Sequence, residues 1–163
     1  MFTLPRQALA SAGGFVGLVR ADAISRLKRR LGERYRPDRG GIYDVFRETD
    51  GDDGTTGVPA VLVVGFRLKL IGSNPVAHWI FQRVCLLTTP FWSGFRGFRV
   101  KLWMVDQGKK NYLGIYQWAG EVEARTYAEA LCRVLRALST TGSVWYDLEP
   151  NQELDHYLAL HAA

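Results

Sequence analysis

The sequence predicts one α+β domain with a four-stranded antiparallel sheet and two helices on one face. Three observations predict it. Stretches with a period of two run over Ala60–Leu70, Phe98–Val105, Tyr112–Trp118 and Ser143–Glu149. Stretches with three- and four-residue apolar steps follow Ser73 and occupy Glu121–Leu138. From residue 60 onward these alternate as strand, helix, strand, strand, helix, strand. With 163 residues, 47% of them hydrophobic and 23% charged, the chain can bury one core without staples.

In Ala60–Leu70 the residues Leu62, Val64, Phe66, Leu68 and Leu70 form an unbroken apolar face, with Val61, Val63, Gly65, Arg67 and Lys69 opposite, so this strand is expected at the centre of the sheet. Ser73-Asn74-Pro75 is a helix start, and Val76, Ile80, Val84 and Leu87 give that helix one buried face until Thr88-Thr89-Pro90 ends it. An aromatic connection, Phe91 to Gly97, follows; Phe91 and Trp92 either plug the end of the core or roof a pocket. In Phe98–Val105, Phe98, Val100, Leu102 and Met104 alternate with Arg99, Lys101, Trp103 and Val105. Asp106–Asn111 supplies a hairpin loop, and Tyr112, Gly114, Tyr116 and Trp118 share a face of the return strand. Glu121–Leu138 buries Ala124, Tyr127, Ala128, Leu131, Leu135 and Leu138, and Ser143–Glu149 closes the sheet. The predicted layout is a basic helical arm and linker over 1–41, the domain over 42–150, and a tail over 151–163 with one helical turn at Leu154–Leu160. Ile42–Phe46 is expected as an accessory edge strand and Glu48–Gly57 as a flexible acidic loop.

The formal charge of +5 is unevenly spread. Residues 1–36 carry +6 and the remainder −1, so the basic character belongs to the arm and the domain is not expected to bind nucleic acid. Residues 15–34 are amphipathic with a basic flank. Such a helix either packs on the domain or its oligomer, or makes reversible contact with anionic lipid. No 18-residue apolar run exists, and the opening residues lack the apolar stretch of a secretion signal, so a cytoplasmic protein is expected. Cys85 and Cys132 have no metal-ligand spacing and are expected as reduced core thiols. No phosphate loop, dinucleotide fingerprint, serine-nucleophile motif or zinc cluster is present.

The order of elements is that of a ferredoxin-like fold. The face opposite the helices would still carry Val61, Val63, Trp103, Val105, Tyr116, Trp118 and Trp145. That is too apolar to leave wet, so a homodimer with two sheets stacked is expected. The FRVKLW strand, the YLGIYQW return strand and the SVWYDL closing strand, within the roughly 90 residues from Ala60 to Glu149, resemble the dimeric α/β-barrel proteins, and most of all the antibiotic-biosynthesis monooxygenase group and its bacterial relatives. Members include cofactor-independent oxygenases of phenolic polyketides, haem-degrading enzymes, cyclases and sensors, and fold alone does not choose among them. The haem-degrading members carry their ligand on the second helix. Glu121–Leu138 contains no histidine, which counts against haem degradation.

The residues themselves suggest a site. Arg67, Lys69, Arg99 and Lys101 alternate on two strands, with Trp103, Tyr116, Trp118 and Trp145 expected on the same face. Cations stabilise a carboxylate, phenolate or enolate, and indole walls stack a planar ring and exclude water. Oxygen chemistry without a metal or organic cofactor needs such an anion. The expected substrate-binding set is therefore Arg67, Lys69, Lys101, Tyr116, Trp118 and Trp145, with Arg99 holding the anion, Trp103 stacking the ring, and His78 as candidate base. The competing reading pairs the same cations with Asp147, Glu149 or a partner's acids at a dimer seam. The chain leans toward a cofactor-independent monooxygenase or related tailoring enzyme of an anionic aromatic or polyketide-like molecule, against a non-catalytic binding or dimerisation module. A titratable group set against a pocket favours the enzyme, and a pocket filled by the protein's own aromatics favours the module.

Overall fold

A computed structural model describes residues 30–51, 54–69, 95–108 and 111–163. The arm up to residue 29, the predicted helix after Ser73 with His78, and the Phe91–Trp92 connection lie outside the described residues. The elements are β1 (Arg34–Tyr35), β2 (Tyr43–Asp50), β3 (Ala60–Phe66), β4 (Phe98–Asp106), β5 (Asn111–Trp118), α1 (Glu121–Leu138), β6 (Trp145–Pro150) and α2 (Leu154–Leu160). The sheet has six strands where four were expected, in the order β1-β2-β4-β5-β3-β6, all pairs antiparallel. The four strands at one end, β4-β5-β3-β6, are those of the βαββαβ unit, and its first strand, β3, is interior between β5 and β6 as predicted. β2 is neither short nor at an edge: it lies between β1 and β4 and takes in Glu48, Thr49 and Asp50, which the sequence placed in a loop. Residues 30–34, expected to end the basic helix, form a turn at 30–32 and then the first residue of β1.

Directly opposed residues in an antiparallel sheet share a face. One ladder runs Thr49, Lys101, Tyr116, Leu62, Leu148, and the next runs Arg47, Trp103, Gly114, Val64, Tyr146. This face lies under α1: Leu62, Val64, Tyr116 and Trp118 form one core with Ala124, Tyr127, Ala128, Leu131 and the free thiol Cys132. Helix α1 keeps its wet side with a Glu121–Arg125 pair four residues apart. The other face carries Val61, Val63, Leu102, Met104, Leu113 and Ile115, packed on Leu154, Tyr157 and Leu158 of α2 and on Tyr35 and Tyr43.

This corrects the expected facing of β4. Leu102 and Met104, with Val100, belong to the α2 side. Only Phe98 reaches the α1 side, because the register shifts between Phe98 and Val100. Trp103, Val105, Tyr116 and Trp118 therefore part company with Val61, Val63 and Trp145. The face thought to require a second sheet is covered by the chain's own α2, which removes the sequence argument for a stacked homodimer seam.

Helix α2 is held at several points. Gln117, buried on its face, accepts a hydrogen bond from the Leu154 N–H and donates to the Gln152 carbonyl at 3.4 Å, so it satisfies backbone groups at the helix entry. Arg30 bonds both buried Glu48 (2.6 Å) and Asp155. Beyond α2 the Arg36 N–H donates to His161 O (2.7 Å) and the Ala163 N–H to Arg34 O (3.1 Å), pairing the last residues with β1.

Candidate small-molecule site

The α1 face of β4 and β5 holds a cation among aromatic rings. The shift at the start of β4 sets the parity that points Lys101 and Trp103 under α1. Lys101 is 6% exposed. Its Nζ lies 3.1 Å from the Trp103 ring centroid and 4.7 Å from that of Tyr116, cation–π geometry in which the aliphatic stem is buried along the strand. Trp103 is fixed from β2, its Nε1–H donating to Thr49 Oγ1 at 3.0 Å, and the Arg47 guanidinium lies 5.9 Å from its centroid. Opposite Trp103 the chain has Gly114. A Cβ there would lie 2.7 Å from the Tyr116 ring, so glycine lets that ring lean along the strand toward Trp103.

The ring contacts continue under the helix. Tyr127 sits 5.3 Å from Tyr116 and 4.9 Å from Trp118, and Phe98 meets Trp118 edge-on at 5.6 Å. Burial raises the Tyr127 phenol above its ordinary range, opposed by its hydrogen bond with Tyr116. The Trp118 Nε1–H is buried and has no acceptor among the described residues.

A separate groove of about 380 Å³ crosses the end of the sheet, lined by Tyr43, Phe66, Arg67, Asn111, Trp145 and the Thr140–Ser143 turn, with Arg39 at its rim. Among the described residues no cluster of three His, Cys, Asp or Glu could hold a metal, and no helix is long and apolar enough to cross a membrane.

No protein-family model and no curated protein matches the chain. Solved structures do match. The heme-degrading enzyme of Listeria monocytogenes aligns over 80% of this chain and 91% of its own, with 14% identity and a TM-score of 0.50. An uncharacterised ferredoxin-fold protein from the same species, related to antibiotic biosynthesis monooxygenases, aligns over 71% and 67% with 17% identity and a TM-score of 0.47. A Streptomyces coelicolor monooxygenase in complex with nanaomycin D aligns over 59% and 89% with 16% identity and a TM-score of 0.44. The fold is ferredoxin-like. At these identities the likeness concerns fold alone.

On this fold the predicted site residues divide. Lys101, Trp103, Tyr116 and Trp118 come together under α1. Arg67 is at the exposed end of β3, its Nε–H donating to Asn111 Oδ1 at 2.9 Å. Lys69 is exposed beyond it, its backbone N–H bonded to Leu138 O. Arg99 occupies the register shift, half-buried, with Nη2 donating to Thr55 O at 3.5 Å. Trp145 lies on the opposite face, with the Arg39 guanidinium 4.6 Å over its ring and its ring packed so close to Gly65 that a Cβ there would lie 2.3 Å from it. Arg39 in turn bonds Asp147 through two nitrogens at 2.7 Å, which neutralises it locally. His78 falls outside the described residues. Sequence reasoning missed Arg47 and Thr49, because the strand signal was ended at Phe46, and Arg39, because nothing local links a turn residue to a strand more than a hundred positions later.

Proposed function

We propose that the chain is a monooxygenase-like enzyme of an anionic aromatic or polyketide-like small molecule, working on the α1 side of the sheet. The observation that carries this reading is the buried Lys101 ammonium held against Trp103 and Tyr116. A cation kept out of water costs free energy unless it is compensated. The rings of Trp103 and Tyr116 hold that charge in place, and a positive charge fixed there favours an anion formed beside it. The chemistry this supports is the oxidation of an activated methylene flanked by aromatic rings. The substrate loses a proton to a base, for which His78 stays the candidate, and Lys101 stabilises the resulting enolate or phenolate. That electron-rich anion is oxidised by dioxygen: the methylene becomes a carbonyl holding one oxygen atom, and the second oxygen leaves as water. No further reductant is required.

The test is oxygen uptake with dithranol, a tricyclic anthrone, in ¹⁸O₂. The expected result is one labelled oxygen in the product, with Lys101→Met lowering the rate by about 10²–10³ at unchanged Tm, the scale of losing one charge-stabilising donor. An unchanged rate in that variant would sink the proposal. The close packing of Phe98, Trp118, Tyr127 and Tyr116 supports a second reading, a binding module. It predicts saturable binding of the same anthrone with no uptake of oxygen.

A further inference from the structure

The groove across the sheet end lies apart from the Lys101 cluster. Asn111 at its floor and Tyr116 beside Lys101 are five residues apart on β5, roughly 17 Å at strand spacing. Several of its polar groups are donors. The Arg67 side chain bonds only the neutral Asn111 amide, and among the described residues no carboxylate pairs with it. Asn111 accepts that bond through Oδ1, which leaves its NH₂ as a donor. In the turn, the Ser143 N–H closes on Thr140 O at 3.0 Å and Gly142 takes a φ of 76°, in the left-handed region. The N–H groups of Thr141 and Gly142 have no acceptor among the described residues.

The walls decide the rest. Phe66, half-buried and stacked on Tyr112, and Tyr43, 6% exposed, give the groove apolar lining, and the Arg39 guanidinium lies over the Trp145 ring. Arg39 is already matched by Asp147. Arg67 has no carboxylate in ion-pair contact among the described residues, though buried Asp106, opposite Asn111, acts with it on Tyr43; a guanidinium so placed fits one negative charge on an acceptor-only group, which is a carboxylate. The volume is at the low end for ligand pockets, so the ligand has one or two rings. We propose that this groove is a second binding site, for a small aryl monocarboxylate whose carboxylate rests on the Arg67 guanidinium and whose rings lie against Tyr43 and Phe66.

The experiment is an ¹⁵N-resolved NMR titration of the full chain with 2-naphthoate, and with neutral 2-naphthamide as control. Saturable shifts at Thr141, Gly142 and the Trp145 indole N–H are expected, with the amide and the Arg67→Gln variant each binding about tenfold more weakly, the loss of one charge-assisted pair. Lys101→Met should leave the shifts at Thr141, Gly142 and the Trp145 indole as in the parent, whatever it does at Trp103 and Tyr116, so failure here and failure of the Lys101 site are distinguishable. Shifts centred instead on Thr49, Trp103 and Tyr116, equal affinity for the amide, undiminished binding by Arg67→Gln, or no saturable shift at millimolar probe would each overturn the proposal.

Discussion

Replacing Leu158 by alanine tests whether α2 is the cover of the second sheet face. Leu158 is 4% exposed and belongs to the core formed with Val61, Val63, Leu102, Met104, Leu113 and Ile115. Truncating a buried leucine costs the lost transfer free energy and the cavity left behind, together about 2–5 kcal/mol. For a chain of this size each kcal/mol lowers Tm by about 2–4 °C, so a fall of roughly 4–20 °C is expected in a thermal melt. Leu160, two positions on and 68% exposed, is the internal control. Its alanine variant should stay within about 0.5 kcal/mol of the parent. Leu158→Asp goes further: a charge under α2 should expose the apolar face, and sedimentation should then show self-association absent from the parent under the same conditions. Equal melts for the two alanine variants would mean that α2 does not bury this face, and the case against a stacked second sheet would fall with it.

Trp103→Ala should cost about 3–5 kcal/mol in urea unfolding, since it deletes a buried indole and its bond to Thr49, and it should leave the sedimentation coefficient unchanged; a shift in subunit count would return Trp103 to a dimer seam. Gly65→Ala should destabilise by about 1–3 kcal/mol and red-shift tryptophan emission, because the new Cβ would lie 2.3 Å from the Trp145 ring; an unperturbed spectrum would deny that packing. Burial raises the phenols of Tyr35, Tyr43, Tyr127 and Tyr157 above their ordinary value of 10.0. A folded-state pKa above the unfolded one favours the neutral form, so this stabilisation is present below about pH 10 and is lost as pH rises through the folded values. Urea midpoints should therefore be flat from about pH 7 to 9 and fall beyond about pH 10; a midpoint unchanged at alkaline pH would show these phenols to be solvated.

What the sequence made legible were the elements whose signals are local. Helix α1 spans Glu121–Leu138 and buries its apolar stripe except Leu138, which is exposed at the helix end, and the alternation of Leu62, Val64 and Phe66 correctly assigns one face of β3. The phase between strands was not legible, and the reason is physical. Both faces of this sheet are covered, by α1 and by α2, so Leu102 and Met104 are as apolar as Trp103 and Val105. A period of two then says that two faces exist without saying which meets which helix. The register shift at Phe98–Val100 reverses the parity at the very point where β4 begins, and it leaves no mark in a window of alternating residues. The second shift, between Val45 and Arg47, hides the length of β2 in the same way.

The division of the candidate site follows from this phase error. Counting alternate positions from Arg67 and Lys69 across to Arg99 and Lys101 assumes that the strands align without slippage. The pairing of Lys101 with Tyr116, and of Tyr116 with Leu62, instead places Lys101 on the face that Arg67's strand presents through Leu62 and Val64. The cations thus sort by environment. Lys101 is buried among rings, where charge is costly and has effect; Arg67 and Lys69 are at an open strand end, where water screens them. Four charges read as one concavity become a buried cation suited to stabilising a reaction's anion and an exposed one suited to catching a carboxylate. The Lys101 cluster and the Arg67 groove separate along that line.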